Sequence, residues 1–411
     1  MGLIVQKFGG TSVADIDRIR NVAKRVTRTF DAGHQVVVIL SAMAGVTDHL
    51  LGMADDISDE PDRRELDVLL ATGEQTTAAL LAMLLQSTGY PARSLMGFQA
   101  EVRTDCDFGN ARILDIGADR IRDLMENNHI VVIAGFQGCD AEGNITTLGR
   151  GGSDTSAVAI AAALKADVCE IYTDVDGIYT TDPNICVKAK KLDRVSYDEM
   201  LEMASLGAKV LQIRSVAFAK KFNVPVHVRS SFSEEEGTMV MHEDEGMEKL
   251  EVSGVTYNKN EARITLKKVP DQPGVAAKIL SPISDEGIIV DMIIQNTRAG
   301  GQTDLTFTVP RAEFKRALEI EKKIAAEINA EEVIGDKNIV KVSVIGVGMK
   351  NHSGVASKMF EALARENINI IMISTSEIRI SCVIEEKYTE LAVRTLHTEF
   401  NLDNPVNGNG V

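Results

Sequence analysis

The sequence has no tryptophan and few other aromatic residues, which argues against a surface that stacks nucleobases. Only 4% of its 411 residues are aromatic. Basic residues are also in deficit, because 44 Lys and Arg stand against 60 Asp and Glu, giving a formal net charge of −16. Nucleic acid and an anionic membrane are therefore poor partners for the surface as a whole, and an anionic ligand would need cations that are gathered locally.

Cysteines and long apolar runs are scarce as well. The five cysteines, Cys106, Cys139, Cys169, Cys186 and Cys382, are odd in number and lack the spacing of a metal site. We therefore expect neither a disulfide framework nor a zinc site. No apolar run approaches the length of a membrane-spanning helix, and no signal peptide precedes the first strand. These absences favour a protein of the reducing cytoplasm with no membrane partner, and its length predicts two or three domains.

The most informative stretch is TTLGRGGSDTSAVAIAAALKAD, residues 146–167. A Gly-rich turn leads into an Ala-rich, almost uncharged segment, which predicts a buried helix over residues 155–166 with Ser153 or Asp154 as its N-cap. The start of such a helix presents free N–H groups that favour anions, and Arg150 adds a planar partner for a carboxylate or phosphate. Taken alone, the turn is about equally typical of a tight loop before a core helix.

Strands and helices alternate over residues 1–232, which predicts an α/β domain with a largely parallel sheet and helices on both faces. Buried strands are expected at residues 3–8, 36–40, 130–136, 168–172 and 224–228, and helices at 15–32, 66–85 and 208–222. Lys7 lies at the carboxyl end of the first strand, shortly before Gly9 and Gly10, and Lys209 falls in the first turn of the last helix. Ligands of such sheets bind at the carboxyl ends of the strands, so Lys7 marks a candidate anion site.

The remainder of the chain contains an internal repeat. Residues 233–248 are acidic and contain glycine, which is typical of a linker. Residues 274–279 then align with 354–359, and the register holds without a gap through 288–293 against 368–373. Each copy has the order β-α-β-β-α-β, which predicts two ferredoxin-like domains over residues 249–335 and 336–411, with strand exchange between them left open. Neither copy carries a convergent set of titratable groups, which favours a regulatory or oligomeric role.

The cations beside the Gly-rich turns favour phosphoryl transfer, in which catalysis is mostly positioning and charge neutralisation. Lys7, Arg150 and Lys209 are these cations. The chain has no Walker A pattern and no protein-kinase HRD or DFG set. No GxGxxG pattern follows a strand either, which weakens a Rossmann interpretation.

Six segments occur in the order seen in aspartokinases, and over essentially its whole length the chain resembles a monofunctional member of that family. They are residues 7–12 (KFGGTS), 41–47 (SAMAGVT), 72–74 (TGE), 149–154 (GRGGSD), 173–177 (TDVDG) and 182–183 (DP). The resemblance implies an amino-acid-kinase domain followed by two ACT domains. It also implies ATP-dependent phosphorylation of the β-carboxylate of L-aspartate, which feeds lysine, threonine and methionine synthesis. The alternatives left open are another kinase of the amino-acid-kinase family and a non-catalytic amino-acid sensor.

The same resemblance implies the site residues. Catalytic roles fall to Lys7, Lys209 and Asp154, without a general base, because the attacking carboxylate is ionised at neutral pH. The implied ATP-binding residues are Lys7, Phe8, Gly9, Gly10, Ser41, Thr173, Asp174, Tyr179, Asp182, Pro183 and Lys209. The implied aspartate-binding residues are Ser41, Thr47, Glu74, Arg150, Gly151, Gly152, Ser153 and Asp154. Mg²⁺ would come with ATP and be held chiefly by phosphates and water, and the sequence identifies no protein ligand for it.

The ACT pair is implied to bind amino acids as feedback inhibitors, and lysine and threonine, singly or together, are the candidates. The matching positions are Asp271, Gly274, Val275, Asp291, Gln295, Asn296, Val355, Ala356, Asn369, Ile370, Thr375 and Ser376. We expect a homo-oligomer that forms through the ACT domains. A shorter regulatory subunit that starts near Met247, as in some relatives, is a further hypothesis.

Overall fold

The structure is a computed structural model that describes residues 2–206, 210–243, 250–298 and 301–403. The chain divides into two compact units. The first consists of residues 1–178 and 191–247, and the second of residues 179–190 and 248–411. Each unit is described by itself.

The first unit is an α/β domain in which strands and helices alternate. Its strands are β1 (Leu3–Phe8), β2 (Gln35–Leu40), β3 (Ala92–Leu95), β4 (Val102–Thr104), β5 (Ile113–Ile116), β6 (Ile130–Ala134), β7 (Gln137–Cys139), β8 (Ile145–Thr147), β9 (Val168–Thr173), β10 (Arg194–Ser196), β11 (Val226–Ser230) and β12 (Thr238–Met241). Its helices are α1 (Ile16–Asp31), α2 (Val46–Asp55), α3 (Arg63–Ser87), α4 (Asp119–Glu126), α5 (Gly152–Leu164), α6 (Tyr197–Ser205) and α7 (Ile213–Phe222).

An eight-stranded sheet with the order β10-β12-β11-β9-β1-β2-β6-β3 forms the centre of this unit. Its neighbouring strands are parallel except for β11 and β12. Strands β2 and β6 are almost completely buried apolar runs, as expected for strands with both faces covered. On one face, α1 and α3 pack on a cluster that includes Phe8, Val36, Val38 and Leu40. Helix α5 contacts β1, β2 and β9 and brings its N-terminus to the site described below.

Several elements differ from the sequence expectations. Helix α5 begins at Gly152 and has Gly151 as its N-cap, so the predicted caps Ser153 and Asp154 lie inside its first turn. Gly151 adopts φ 69°, a left-handed conformation that favours glycine, and a Cβ there would lie 1.8 Å from Cγ of Gln212. Helix α7 begins at Ile213 rather than at residue 208, because Gln212 is extended. A second sheet, β5-β4-β7-β8, was not expected.

Two further differences concern the predicted linker and the predicted absence of a long apolar helix. Residues 238–241 lie within the predicted linker but form β12, which pairs with β11 and β10. Helix α3 is the one helix in the described part of the chain that is long and apolar enough to cross a membrane, so the expectation that no stretch approaches this length was wrong. Half of its apolar window is buried within the structure.

The second unit contains the two repeat copies. Its strands are β13 (Gly254–Asn258), β14 (Glu261–Pro270), β15 (Ile293–Arg298), β16 (Gln302–Pro310), β17 (Glu332–Asp336), β18 (Ile339–Ile345), β19 (Met372–Thr375) and β20 (Arg379–Glu385). Its helices are α8 (Val275–Asp285), α9 (Phe314–Glu327), α10 (Val355–Arg365) and α11 (Thr389–Glu399). The strands predicted at 288–293 and 368–373 start later, at Ile293 and Met372.

The two copies exchange a strand. The first forms an antiparallel sheet with the order β15-β16-β14-β17, which is the ferredoxin-like arrangement of its four strands. The second has the order β13-β18-β20-β19, so β13, which precedes the first copy in the chain, takes the place of its fourth strand. The first copy is thus inserted between the strands of the second, and a single boundary near residue 335 does not separate them.

Candidate active site

A lysine and an aspartate form a nearly buried ion pair at the carboxyl end of the central sheet. Lys7 lies near the end of β1, opposite Ile39 of β2 and Ile171 of β9. Its Nζ lies 2.6 Å from Oδ1 of Asp154, in the first turn of α5, and both side chains are about 10% exposed. Because water screens such a pair poorly, the attraction between Lys7 and Asp154 is stronger than it would be between exposed groups.

The backbone after β1 forms a compact turn. The N–H of Gly9 donates to the carbonyl of Tyr172 at 3.1 Å, and a 3₁₀ turn follows from Gly10 to Val13. The N–H of Ala44 donates to the carbonyl of Gly10 at 3.2 Å, and a Cβ on Gly10 would lie 2.9 Å from the carbonyl oxygen of Ala42. The turn can therefore approach the loop after β2 only with glycine at this position.

Glu74 is a buried carboxylate beside this turn. It lies on α3 and is 4% exposed, and its Oε1 accepts a hydrogen bond from the N–H of Ala42 at 3.0 Å. Its other oxygen, Oε2, is buried without a hydrogen-bond partner. Burial raises the pKa of Glu74 to about 7, although the Ala42 hydrogen bond and the charge of Lys7 act in the opposite direction. An unpartnered carboxylate oxygen next to a lysine can accept an ammonium group of a ligand.

The Gly-rich turn places the remaining residues of the predicted aspartate set. Ser153 is 8% exposed and lies against the end of β6. Their closeness is shown by Gly135, where an added Cβ would lie 3.0 Å from the Cβ of Ser153. Arg150 is exposed and lies one residue before Gly151, the N-cap of α5. Thr47 lies in the first turn of α2, and Ser41 follows β2, where its carbonyl accepts from the hydroxyl of Thr77 at 2.9 Å.

The predicted nucleotide residues fall in both units. Thr173 ends β9, and its hydroxyl donates to Asp174 at 3.1 Å. Tyr179, Asp182 and Pro183 belong to the segment 179–190, which is part of the second unit. There Asp182 accepts a hydrogen bond from the hydroxyl of Tyr257 at 2.9 Å, so this carboxylate already has a partner.

Two sequence expectations concern Lys209 and the protein ligands of a metal ion. Lys209, for which a catalytic and ATP-binding role is predicted, lies outside the described residues. Among the described ranges, no group of three or more His, Cys, Asp or Glu side chains is arranged to hold a metal ion. The five cysteines are free.

Sequence reasoning missed two residues that hold the Gly-rich turn. Asp67 on α3 is completely buried and accepts hydrogen bonds from the N–H and hydroxyl of Thr147, both at 2.7 Å, and from the N–H of Gly109. Burial raises the pKa of Asp67. Arg214 on α7 donates to the carbonyl of Leu148 at 2.5 Å. An acidic residue inside an apolar helix pattern was the available signal for Asp67, whereas nothing in the sequence identified Arg214.

Two of the predicted effector positions, Val275 and Val355, are the first residues of α8 and α10 and so lie in corresponding places of the two repeat copies. Gly274 and Gly354 are left-handed N-caps of α8 and α10. Asp291 forms an ion pair with Lys341 of β18. Lys341 is 3% exposed and also pairs with Glu261 of β14. Lys341 and Glu261 are buried, whereas the side chain of Asp291 is 45% exposed, and the three charged groups link the two copies. The remaining predicted positions are Asp271, Gln295, Asn296, Ala356, Asn369, Ile370, Thr375 and Ser376.

The chain matches known families along most of its length. The amino acid kinase family matches residues 2–230, and the ACT domain matches residues 263–328 and again residues 342–400. An aspartate kinase of Stutzerimonas stutzeri is 58% identical over 98% of both chains, and an aspartokinase of Pseudomonas aeruginosa is 58% identical over 98% of this chain and 99% of its own. The structure of E. coli aspartokinase III in complex with aspartate and ADP is similar with a TM-score of 0.77 at 27% identity, covering 97% of this chain and 99% of that one.

Proposed function

The chain belongs to the aspartokinase family, and from this premise we propose that the site around Lys7 transfers the γ-phosphoryl group of ATP to the β-carboxylate of L-aspartate. One observation carries the assignment of the site. At the carboxyl end of the sheet, Lys7, Glu74 and Asp154 lie together beside a compact glycine turn and the start of α5. This arrangement offers one cation to phosphate oxygens and two anions to an ammonium group.

The substrate is held by charge complementarity in this proposal. Oε2 of Glu74, which is buried without a partner, accepts the α-ammonium group of aspartate. Arg150 binds its α-carboxylate with two parallel hydrogen bonds. These contacts direct the β-carboxylate towards the phosphate, so that an oxygen of that carboxylate and the γ-phosphorus approach in line.

The reaction itself needs no proton transfer. A β-carboxylate oxygen forms a bond to the γ-phosphorus, the bond to the bridging oxygen breaks, and ADP leaves with that electron pair. The products are 4-phospho-L-aspartate and ADP. The obstacle is the approach of two anions, and Lys7 lowers this repulsion because its ammonium group stands between the two reactants in a poorly solvated position. Asp154 keeps Lys7 in place through their ion pair.

We propose that Mg²⁺ accompanies the nucleotide. Because the described residues offer no cluster of three ligands, the ion would be held by phosphate oxygens and water. When bound, it neutralises phosphate charge. Lys209, for which the family resemblance implies a second cationic role, stays a prediction. The free cysteines are consistent with a cytoplasmic enzyme, which we also propose.

Regulation is proposed for the second unit. The relative E. coli aspartokinase III has also been seen with lysine and aspartate, in a T-state. We propose that lysine, threonine or both bind at the effector positions and shift the enzyme towards a less active state. We further propose a homo-oligomer that forms through the ACT domains. The hypothesis of a shorter subunit starting near Met247 concerns a residue outside the described ranges.

Product trapping tests this function. The purified full chain is incubated with MgATP, hydroxylamine and either L-aspartate or L-glutamate, and the hydroxamate of the acyl phosphate is quantified. Aspartyl hydroxamate should form with L-aspartate, and the product should be at least about 100-fold less with L-glutamate. Preference for glutamate would indicate another kinase of the same family. Absence of both product and ATP binding would indicate an amino-acid sensor. Repeating the incubation with lysine and threonine, singly and together, tests feedback inhibition.

A further inference from the structure

A loop that neither the motifs nor the proposed mechanism includes connects the two predicted nucleotide segments. The loop consists of residues 230–234, begins with the last residue of β11, and is called the serine loop here because it contains three serines. The N–H of Ser231 donates to the carbonyl of Thr173 at 2.8 Å. The hydroxyls of Ser231 and Ser12 lie 2.5 Å apart, and the hydroxyl of Ser233 donates to Asp176 at 2.7 Å. The serine loop thus contacts the turn after β1 and the segment after β9.

One buried arginine, Arg25, donates hydrogen bonds to the backbone of the serine loop. Arg25 of α1 is 9% exposed, and its Nη2 donates to the carbonyl of Ser233 at 2.7 Å and, more weakly, to that of Ser231 at 3.4 Å. Its guanidinium also lies 3.2 Å from Glu234 and 5.4 Å from the centre of the Tyr172 ring. Hydrogen bonds from a charged, poorly solvated donor are roughly twice as strong as neutral ones.

We infer that Arg25 is a positioning residue for ATP binding. Through the serine loop, Arg25 holds the turn at Gly9 and Gly10 and the segment at Thr173 in place. This inference rests on the proposed function, because it takes these two segments to be the nucleotide site. Arg25 touches no reacting atom. Its removal would leave two loop carbonyls without their donor and would release the hydroxyl contact between Ser231 and Ser12. A displacement of the phosphate-binding turn by even 1 Å weakens binding of the group it holds.

The neighbouring arginine provides a matched control. Arg28 lies on the same helix one turn later and pairs with the same carboxylate, Glu234, at 2.8 Å. Its side chain is 59% exposed, and it donates to the carboxylate of Glu234 rather than to the loop backbone. An exposed pair of this kind contributes little. Comparing variants of Arg25 and Arg28 therefore distinguishes the loss of a charge near Glu234 from the loss of support for the serine loop.

The experiment compares Arg25→Met, Arg25→Lys and Arg28→Met in the full chain, with kcat and KM measured for each substrate. We expect Arg25→Met to raise KM for ATP about tenfold and to leave KM for aspartate within twofold of wild type. Arg25→Lys should recover part of this loss, because an ammonium group can still donate to Ser233. Arg28→Met should change neither KM by more than twofold. Unchanged KM for ATP in Arg25→Met, equal increases for both substrates, or the same effect in Arg28→Met would overturn the inference.

A second measurement keeps the test decisive if Arg25→Met does not fold. Ser12→Ala, Ser231→Ala and the double variant form a cycle that removes only the hydroxyl contact. The KM for ATP should rise about as much in each single variant as in the double variant. Additive effects, or none, would contradict the role of the serine loop. Inactivity of wild type with aspartate would instead refute the proposed function and leave direct measurement of ATP binding to these variants as the test of Arg25.

Discussion

Protonation of Glu74 should control aspartate binding between pH 6 and 8. In the free enzyme the carboxyl group has a pKa raised to about 7, mainly because it is buried. The proposed mechanism uses its ionised form to accept the substrate ammonium group. Since the pKa lies above the ordinary value of 4.5, Glu74 takes up a proton as the pH falls through 7. Lowering the pH across this range should therefore weaken the binding of aspartate.

The size of the effect follows from the fraction of Glu74 that is ionised. With a pKa of about 7, roughly 90% of the enzyme carries an ionised Glu74 at pH 8 and roughly 10% at pH 6. If only the ionised form binds aspartate, the apparent KM exceeds its limiting value by a factor of about 1.1 at pH 8 and about 11 at pH 6. The expected change is thus about tenfold. The substrate carboxyl groups, with pKa values of about 4 or less, do not titrate in this range.

The assay measures KM for aspartate at saturating MgATP between pH 6 and 8, in wild type and in Glu74→Gln. Wild type should show the tenfold rise towards low pH. Glu74→Gln keeps the shape of the side chain but cannot ionise, so its KM should be high and independent of pH. A flat profile in wild type, or the same slope in Glu74→Gln, would refute the assignment of Glu74 to the ammonium group.

Three further outcomes follow from buried charged groups elsewhere in the chain. Glu321 is completely buried, and burial raises its pKa to about 8, so the folded state holds a proton that the unfolded state releases. The free energy of unfolding, measured with denaturant, should therefore fall by about 3 to 4 kcal/mol from pH 5 to pH 8, and Glu321→Leu should remove this dependence on pH. Lys341→Met leaves Glu261 buried without its cation and should lower the free energy of unfolding by about 3 to 5 kcal/mol, whereas exchanging both residues for apolar ones should restore much of the loss. Asp67→Ala removes the carboxylate that accepts hydrogen bonds from Thr147, and kcat/KM for aspartate, measured in a coupled kinase assay, should fall about tenfold. An unchanged kcat/KM would show that Asp67 does not support the Gly-rich turn.

Local patterns predicted the elements whose burial leaves a mark on the sequence. The apolar runs of β2 and β6 and the helical spacing of α1 were readable because each element packs against the core along its whole length. The repeat register predicted two β-α-β-β-α-β copies for the same reason. Strands β4 and β7 were missed because three residues are too few to show alternation.

Other features depend on pairing between distant parts of the chain. Strand β12 lies in an acidic segment, and its pairing with β11 is what makes it a strand. The placement of β13 beside β18 joins residues about 85 apart and leaves no local signature. For the site, Lys7 and Asp154 were visible as motif residues, and the structure brings them together with Glu74. Arg25 was not visible as a site residue, because a single arginine in an amphipathic helix resembles a surface residue.

Replacement of Lys7 by methionine tests the central claim most directly. Methionine keeps much of the length of the side chain but removes the charge that is proposed to let two anions meet. With ATP and aspartate both saturating, hydroxamate-trapped product from Lys7→Met should form at least about 100-fold more slowly than from wild type, with the melting temperature serving as the check on folding. A folded Lys7→Met enzyme that turns over within twofold of wild type would contradict the account.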